Sequence, residues 1–292
     1  MPCPLCNDRG NTHAHRPSWL GSTNFANRHF DYLECSGCQS LYCAPMPDAE
    51  TLSLMYGTSY GVAGGNHQIN DPRDFERIVS WLHKQTPGMF FDFGCGAGET
   101  LRAALSIGWK AMGLEYDPAV AARTSAATGA RVLSELDAST VGVADVLNVG
   151  DVIEHLTDPL TQMREVLRTL KPGGILLAQG PLEANRNLLT LALRVGGKLR
   201  PRASTMPPYH VTLATARGQR EFFTQLGLQE LEFDVTEVDW PAPSRISPRD
   251  LRNPRTTALF ALRRVSTAVK SLGVPDWGNR YFFAGRRAVA AA

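Results

Sequence analysis

Four cysteines near the start of the chain have the spacing of a metal site. They form two C-x-x-C pairs, Cys3 with Cys6 and Cys35 with Cys38. Each pair can supply one edge of a tetrahedral zinc site, and four thiolates leave no open position for water or substrate. The pattern therefore predicts a structural Zn²⁺. The 28 residues between the pairs (7–34) exceed the usual spacing of a zinc ribbon, so a hairpin or loop is expected there.

Two alternatives to this metal site remain open. A disulfide arrangement would require an oxidising compartment, and nothing in the sequence points to export. One ligand could also be replaced by a nearby side chain, and the candidates are His13, His15, His29 and Cys43.

A glycine-rich run after an apolar segment is the second chemical signal. Its glycines, Gly94, Gly96 and Gly98, have the spacing GxGxG. A dinucleotide site prefers GxGxxG, because the pyrophosphate lies on the N-terminus of the helix. Asp92, two residues earlier, would repel a phosphate, so the ligand should be cationic or zwitterionic at that end. Glu115, 21 residues beyond Gly94, can accept both hydroxyls of a ribose, so the two features together predict an adenosyl group.

The elements that must position these residues alternate between strand and helix. From residue 89 onward, short apolar runs alternate with helical stretches, which indicates a doubly wound α/β domain with ligands at the carboxyl ends of its strands. The predicted strands lie near 89–93, 110–115, 131–133, 144–149, 174–179, 228–238 and 279–285. The predicted helices lie near 98–107, 118–127, 159–170 and 214–226.

Composition and charge narrow the class of protein. The chain is 43% apolar and 20% charged and has no apolar run near the roughly 20 residues of a membrane span. It also lacks the basic and apolar regions of a signal peptide, so we expect a cytoplasmic protein. The net charge of +2 hides two opposite parts, because residues 1–183 carry 13 Lys/Arg and 20 Asp/Glu (−7), whereas residues 184–292 carry 17 and 8 (+9).

Taken together, these motifs resemble the class I methyltransferases that use S-adenosylmethionine. The likeness rests on DFGCGAGE at 92–99, GLEYDP at 113–118, DVIEHLTDP at 151–159 and LKPGG at 170–174. The opening segment is similar to the zinc-ribbon leader of some bacterial small-molecule methyltransferases, including sugar C-methyltransferases. The resemblance implies a Rossmann-like, doubly wound, seven-stranded sheet with a small N-terminal zinc ribbon.

The same resemblance implies a domain order and a set of cofactor contacts. A zinc ribbon at 1–45 precedes a helical linker and cofactor-side cap at 46–85 and a methyltransferase domain at 86–292, with acceptor-site insertions at 183–212 and 240–278. Asp92 would face the methionine ammonium, Glu115 would hold the ribose diol, and the adenine edge would meet residues 134–136. The implied cofactor-binding residues are Asp92, Gly94, Cys95, Gly96, Gly98, Glu115, Tyr116, Ser134, Glu135 and Leu136.

Catalysis would require positioning and, for an alcohol acceptor, a base. Methyl transfer from a sulfonium is an in-line displacement that needs no covalent nucleophile, but the proton of an alcohol becomes acidic during transfer. His155, which lies four residues after Asp151 and close enough on a helical turn to be oriented by it, is the leading candidate for the base; alternatively, its imidazole only braces the turn before Pro159. His210 is the second candidate. The expected substrate contacts are Tyr209, Tyr56 and Tyr60.

The chemical identity of the acceptor is the property that the sequence indicates least directly. Ten of the twelve basic residues in the two insertions are candidates for pairing with phosphate or carboxylate groups, which favours an anionic or carrier-bound acceptor. These residues are Arg194, Lys198, Arg200, Arg202, Arg245, Arg249, Arg252, Arg255, Arg263 and Arg264. A helix with Leu259, Leu262, Val265 and Val269 on one face could serve as a lid or as the face of a homodimer.

Three function classes follow from these observations. The first is O-methylation of a small-molecule acceptor such as a sugar, a nucleotide-linked compound or a secondary metabolite. The second is RNA methylation, because a zinc ribbon beside such a core also resembles an rRNA guanine-methylating family; the ribbon is not basic, which argues against it. The third is a non-catalytic interaction module.

Overall fold

The computed structural model describes residues 2–6, 15–59, 72–199, 203–239, 245–247 and 250–288. Five residues considered above lie outside this described part of the chain: His13, Tyr60, Arg200, Arg202 and Arg249. The chain divides into two compact units. The first unit comprises residues 1–55, 181–221 and 234–281, and the second comprises residues 56–180, 222–233 and 282–292.

The elements are numbered here in chain order. The strands are β1 (His15–Phe25), β2 (Arg28–Cys35), β3 (Leu41–Ala44), β4 (Met89–Phe93), β5 (Lys110–Leu114), β6 (Arg131–Leu133), β7 (Ala144–Gly150), β8 (Leu170–Pro181), β9 (Ala203–Ser204), β10 (Thr212–Leu213), β11 (Leu228–Thr236) and β12 (Arg280–Arg287). The helices are α1 (Ala49–Ser59), α2 (Pro72–His83), α3 (Glu99–Ser106), α4 (Pro118–Thr128), α5 (Pro159–Val166), α6 (Leu188–Leu199), α7 (Ala216–Gln225) and α8 (Pro254–Ser271).

A seven-stranded sheet forms the core of the second unit. Its order is β11-β12-β8-β7-β4-β5-β6, and the pairs β8–β7, β7–β4, β4–β5 and β5–β6 are parallel. The carboxyl ends of these strands consequently meet at one edge of the sheet, where the predicted site residues follow β4, β5 and β7. This is the Rossmann-like architecture that the strand and helix pattern predicts, and the prediction is confirmed.

Local signals explain where the flanking helices begin. The Asp117 carboxylate accepts hydrogen bonds from the N–H groups of Ala119 and Val120, and Pro118 occupies the first turn of α4. Asp158 and Pro159 begin α5 in the same way, with the Asp158 carboxylate accepting from the N–H of Thr161. Both caps directly follow a strand and a short loop, so each fixes the chain as it leaves the carboxyl edge of the sheet.

The first unit is built on a five-stranded sheet with the order β10-β3-β2-β1-β9. Strands β1 and β2 form an antiparallel hairpin within the segment between the cysteine pairs. The two short edge strands β9 and β10 belong to residues 181–221, so part of the predicted acceptor insertion completes the N-terminal sheet. Its apolar core shares side chains from both parts of the chain, including Trp19, Phe30, Leu41, Val211 and Leu213.

The compact units therefore cut across the predicted domain boundaries. Residues 1–45 do not form a separate ribbon, because β3 and β1 find their outer partners more than 150 residues further along the chain. Helix α1 is likewise divided between the two units after Met55. Segments of fewer than about 40 residues seldom bury enough apolar surface alone, which explains the recruitment of later strands.

Helix α8 differs from the predicted amphipathic helix. Its buried residues are Arg263 and Ser266, whereas Val265 is 55% exposed. The Arg263 guanidinium donates to Glu237 Oε1 at 2.6 Å, and the Trp277 indole donates to the Ser266 carbonyl oxygen at 3.0 Å. Val265 is the exposed member of the predicted apolar face, whose other three residues are half-buried. No helix in the described part of the chain has the length and apolar character that crossing a bilayer would require.

Candidate active site

The glycine turn after β4 has a backbone that glycine alone adopts readily. Gly94, Gly96 and Gly98 have φ angles of +77°, +49° and +76°. A Cβ atom on Gly94 would lie 2.7 Å from Val152 Cγ2, so the close approach also depends on the missing side chain. The N–H of Gly94 donates to the Leu114 carbonyl oxygen at 2.9 Å, which ties the turn to the end of β5. The turn thus lies at the carboxyl edge of the sheet, with Gly94 exposed and Gly96 and Gly98 buried.

Glu115 faces this turn from the end of the next strand. Its Oε2 accepts a hydrogen bond from the N–H of Gly96 at 3.2 Å, and its Oε1 accepts from the N–H of Asp117 at 3.3 Å. The Glu115 backbone N–H donates to the Leu133 carbonyl oxygen at 2.8 Å. The structure thus brings together the glycine turn and the acidic strand end, two features that the sequence analysis combined only by their spacing.

The predicted adenine contacts lie after β5 and β6. Tyr116 is 61% exposed, with its ring edge-on to Phe93 at a centroid distance of 5.8 Å. Ser134 and Glu135 are exposed and Leu136 is half-buried. Cys95, inside the glycine turn, is buried instead, and burial raises the pKa of its thiol. Its side chain therefore packs on the sheet side of the turn.

Asp92 is more enclosed than its predicted contact with an ammonium group suggests. It is 3% exposed, the Thr100 hydroxyl donates to its Oδ2, and Asn148 Nδ2 donates to its Oδ1 at 2.7 Å. Burial raises the pKa of Asp92 to about 6, with the Glu115 charge acting in the same direction and the bonds from Thr100 and Asn148 opposing it. Asn148 Oδ1 is buried and has no hydrogen-bond partner in the described part of the chain.

Sequence reasoning missed both partners of Asp92, although one of them left a signal. Asn148 is a lone polar residue in the middle of the buried strand β7 and stands opposite Asp92 in the sheet register. Buried amides in strands are normally retained for a hydrogen bond, so this position could have been recognised. Thr100, in the first turn of α3, left no comparable signal.

The segment after β7 combines backbone strain with a histidine. Asp151 has a φ of +51°, which is uncommon for a non-glycine residue and is often found at functional sites. His155 ends a short 3₁₀ turn, and its ring lies edge-on to Tyr56 with centroids 6.3 Å apart. Glu154 Oε1 lies 4.0 Å from His155 Nε2, so a carboxylate that the sequence did not single out faces this imidazole.

In the first unit, His210 forms a close pair with an acid that was not predicted. His210 Nδ1 lies 2.6 Å from Glu183 Oε2, and the two side chains are 33% and 35% exposed. The backbone around His210 is fixed, because the Tyr32 hydroxyl donates to its carbonyl oxygen at 3.3 Å and Pro207 accepts from the Tyr209 N–H at 2.9 Å. Glu183 lies two residues after the end of the buried strand β8, and an acidic residue at this place is the sequence signal that could have identified it.

The four predicted metal-site cysteines come together in the first unit. Their sulfur atoms all lie within 4.8 Å of one another, with Cys3–Cys38 and Cys6–Cys35 separations of 3.6 Å. The Cys3 thiol lowers the pKa of Cys35 to about 6, and backbone hydrogen bonds from Cys38 and Gly37 act in the same direction.

This cysteine cluster is fastened to the segment that begins α7. The Thr215 hydroxyl donates to the Cys38 carbonyl oxygen at 2.6 Å, and the Thr215 N–H donates to Ser40 Oγ at 3.1 Å. A Cβ atom on Gly218 would lie 2.3 Å from Ser40 Oγ, so α7 can approach only because of this glycine. Thr215 lies five residues after His210, and the cluster therefore anchors one end of the loop that carries this histidine.

The comparisons with known proteins agree with the geometry of the second unit. Residues 91–178 match the family model described as a methyltransferase domain. Among curated proteins, the chain is 29% identical over 121 residues to a ubiquinone biosynthesis O-methyltransferase of Vibrio parahaemolyticus. That alignment spans 37% of this chain and 49% of the relative, so the chain matches about half of the relative's length.

Solved structures of methyltransferases share the fold at low sequence identity. The 1,6-didemethyltoxoflavin-N1-methyltransferase of Burkholderia thailandensis has a TM-score of 0.52 and 13% identity, covering 90% of this chain and 96% of that one. The phosphoethanolamine N-methyltransferase 2 of Haemonchus contortus, solved with S-adenosyl-L-methionine, has a TM-score of 0.50 and 17% identity, covering 85% and 62%. The chain carries a methyltransferase domain with the Rossmann-like methyltransferase fold, as the sequence motifs predict.

Proposed function

We propose that this protein transfers a methyl group from S-adenosylmethionine to a hydroxyl group of a small molecule. The observation that carries the proposal is the contact between the glycine turn and Glu115 at the carboxyl edge of the sheet. A carboxylate beside the glycine turn suits a ribose diol, and the second carboxylate, Asp92, disfavours a pyrophosphate on the same turn.

The residues around the turn fit the two ends of such a cofactor. Glu115 would hold the ribose hydroxyls, and the backbone of Gly94 and Gly96 would lie along the chain between ribose and amino acid. Asp92 supplies negative charge, and the unsatisfied acceptor Asn148 Oδ1 adds a site for a donor such as an ammonium group or a water that it binds. When bound, S-adenosylmethionine supplies a methyl group on a sulfonium, which is already activated for displacement.

His210 is the proposed base for the acceptor hydroxyl. An ionised Glu183 carboxylate can only accept hydrogen bonds, so the 2.6 Å contact requires the proton on His210 Nδ1. In the neutral imidazole the basic lone pair is then on Nε2, so His210 would act as the base where the acceptor hydroxyl approaches this nitrogen. The same contact stabilises the imidazolium that forms. His155 remains the second candidate, with the Glu154 carboxylate on its Nε2 side.

An anionic or carrier-bound acceptor is favoured by charge. Residues 184–292 have a net charge of +9, and described arginines of the insertions, such as Arg255 and Arg264, are exposed. Guanidinium groups bind carboxylate and phosphate oxygens in pairs, which suits a nucleotide-linked or otherwise phosphorylated molecule. This charge is also compatible with RNA, so RNA belongs among the acceptors to be tested.

The cysteine cluster is proposed to hold one structural Zn²⁺. Tetrahedral Zn–S bonds of about 2.3 Å place sulfur atoms about 3.8 Å apart, close to the 3.6 Å separations seen here. Backbone N–H groups that point at the sulfur of Cys35 are also what a bound thiolate requires. Because the cluster is tied to Thr215, the metal would stabilise the His210 loop and take no part in the transfer itself.

A labelled-methyl assay on the full chain tests the proposal. Cell-extract fractions containing small molecules, RNA or protein are offered with S-adenosylmethionine, and we expect label in a small-molecule fraction that alkaline phosphatase treatment alters. His210→Gln should lower turnover by at least about a hundredfold, since a positioned base contributes that much or more. The matched control is His29→Gln, because His29 also pairs with a carboxylate, Asp31, at 3.2 Å but is exposed.

Three outcomes would contradict parts of this proposal. Label in RNA would overturn the small-molecule acceptor, and no transfer to any fraction despite cofactor binding would overturn the enzymatic reading. Glu183→Gln should shift the acid limb of the pH–rate profile while leaving the cofactor dissociation constant unchanged. An unmoved profile in both Glu183→Gln and His210→Gln would transfer the role of base to His155.

A further inference from the structure

Two neighbouring helices of the first unit present apolar side chains to the outside. On α6, Leu191, Val195 and Leu199 follow one another at intervals of four and are 41%, 63% and 77% exposed. On α8, Val265 is 55% exposed, and Leu272 at its end, seven residues later, is 83% exposed. The helices are in contact, since the Leu188 N–H donates to Ser266 Oγ at 3.3 Å. These five residues are called the α6–α8 face below.

Packing on the opposite side fixes the outward orientation of this face. Gly197 of α6 is buried, and a Cβ atom there would lie 1.9 Å from the Trp19 carbonyl oxygen. Arg194 points the same way, donating to the Ala184 carbonyl oxygen at 3.1 Å and lying 3.8 Å from Glu34. On α8, the buried bond between Arg263 and Glu237 has the same effect. Rotation of either helix to bury its apolar stripe would break these contacts.

The α6 and α8 segments are rich in basic residues, of which Arg194 and Arg263 lie beside the carboxylates of Glu34 and Glu237. Residues 184–220 contain seven Lys/Arg and no Asp/Glu, and residues 251–275 contain five and none. Arg255 and Arg264 of α8 are exposed. Two copies of this face would repel each other, so charge argues against self-association. Nucleic acid would match the charge but would leave the exposed leucines and valines in water, which argues against it as well.

We propose that the α6–α8 face binds the surface of an anionic lipid bilayer. Exposed apolar side chains with a basic surround are the features of helices that lie in the plane of the interface, with the apolar groups among the lipid chains and the basic groups at the headgroups. The helices would lie on the membrane and would not cross it. This inference does not rest on the methyltransferase activity, because lipid binding needs neither cofactor nor acceptor.

Vesicle co-sedimentation of the full chain tests this docking surface. The vesicles are phosphatidylcholine alone, or phosphatidylcholine with a third of phosphatidylglycerol, at about 0.1 M and about 0.5 M salt. We expect binding to the anionic vesicles at low salt, weaker binding at high salt and little binding to phosphatidylcholine. Val195→Ser with Val265→Ser should lower the partition coefficient by about tenfold or more, as two apolar groups are lost from the interface.

Matched controls separate the face from general effects of the substitutions. Val141→Ser removes a valine that is 51% exposed in the second unit and should leave vesicle binding unchanged. Arg255→Gln with Arg264→Gln should abolish the preference for anionic lipid, whereas Arg168→Gln, an exposed arginine of the second unit, should not.

Four results would overturn the proposal. These are no binding to anionic vesicles at low salt, equal binding to both vesicle types, an equal loss with Val141→Ser, and retention on RNA without partition into vesicles. Sedimentation velocity tests the remaining candidate for the α6–α8 face, which is a second copy of the chain. A dimer that the Val195→Ser, Val265→Ser protein converts to a monomer, with vesicle binding unchanged, would assign the face to a second copy of the chain.

Discussion

Replacing Asp92 with asparagine should flatten the pH dependence of the free energy of unfolding. The Asp92 carboxyl is 3% exposed, and burial raises its pKa to about 6 from an ordinary value of 3.8. A raised folded-state pKa means that the native state holds this proton more tightly than the unfolded state. The resulting stabilisation is fully present below the unfolded pKa and is lost as the pH rises through about 6.

The magnitude follows from the size of the shift. A difference of about two pKa units corresponds to about 3 kcal/mol, of which about 1.4 kcal/mol is lost between pH 5 and pH 8. Asparagine has no such titration but can accept the Thr100 hydroxyl bond. It can also pair with Asn148, whose amide can turn its unpartnered Oδ1 toward the new NH₂ group.

Urea unfolding at several pH values, with zinc held constant, measures this effect as a difference between the two proteins. The free energy of unfolding of the wild type, minus that of Asp92→Asn, should fall by about 1.4 kcal/mol from pH 5 to pH 8. Thr100→Val should move the fall to higher pH, because the Thr100 hydroxyl lowers the pKa of Asp92. If the difference in the free energy of unfolding stays constant with pH, folding does not shift the pKa of Asp92. If the difference rises from pH 5 to pH 8, folding lowers this pKa.

Three further changes test other parts of the site. Glu115→Ala should weaken binding of S-adenosylmethionine by about 1 to 3 kcal/mol, because a diol would lose its charged partner; a dissociation constant equal to that of the exposed-residue control Glu165→Ala would contradict the placement. If the His155 imidazole contributes only to the reaction, His155→Ala should lower turnover in steady-state kinetics but keep the cofactor affinity measured by calorimetry within about threefold. Loss of both turnover and cofactor affinity would indicate that this imidazole braces the turn. Cys35→Ser should lose the zinc that metal analysis finds in the wild type and lower Tm, whereas Cys43→Ser should retain it; a full complement of metal in Cys35→Ser would contradict a four-thiolate site.

The core of the second unit could be predicted because its signals are local. Each strand from β4 to β8 contains a short apolar run, and Asp117 and Asp158 mark the following helices by caps that need only neighbouring residues. The glycine spacing likewise reports a turn whose left-handed backbone is determined within a few residues. Such features are determined by the few residues on either side of them, so the rules of periodicity and helix capping suffice to predict them.

The first unit could not be predicted in the same way, because its structure depends on contacts between distant segments. Strands β9 and β10 have two residues each and carry no recognisable pattern, yet they form both edges of the N-terminal sheet. On α8, Arg263 is buried beside Glu237 while Val265 of the apolar face is exposed, and neither placement follows from helical periodicity. Glu183 and His210 are 27 residues apart, and only the folded loop brings them to 2.6 Å.

Titration of S-adenosylmethionine into the zinc-loaded full chain by isothermal calorimetry tests directly whether the glycine turn and Glu115 bind this cofactor. We expect one molecule bound per chain, no binding of NAD⁺, and weaker binding in Glu115→Ala. No heat at any concentration, or binding of the dinucleotide in its place, would contradict an adenosyl sulfonium site at Gly94, Gly96 and Glu115.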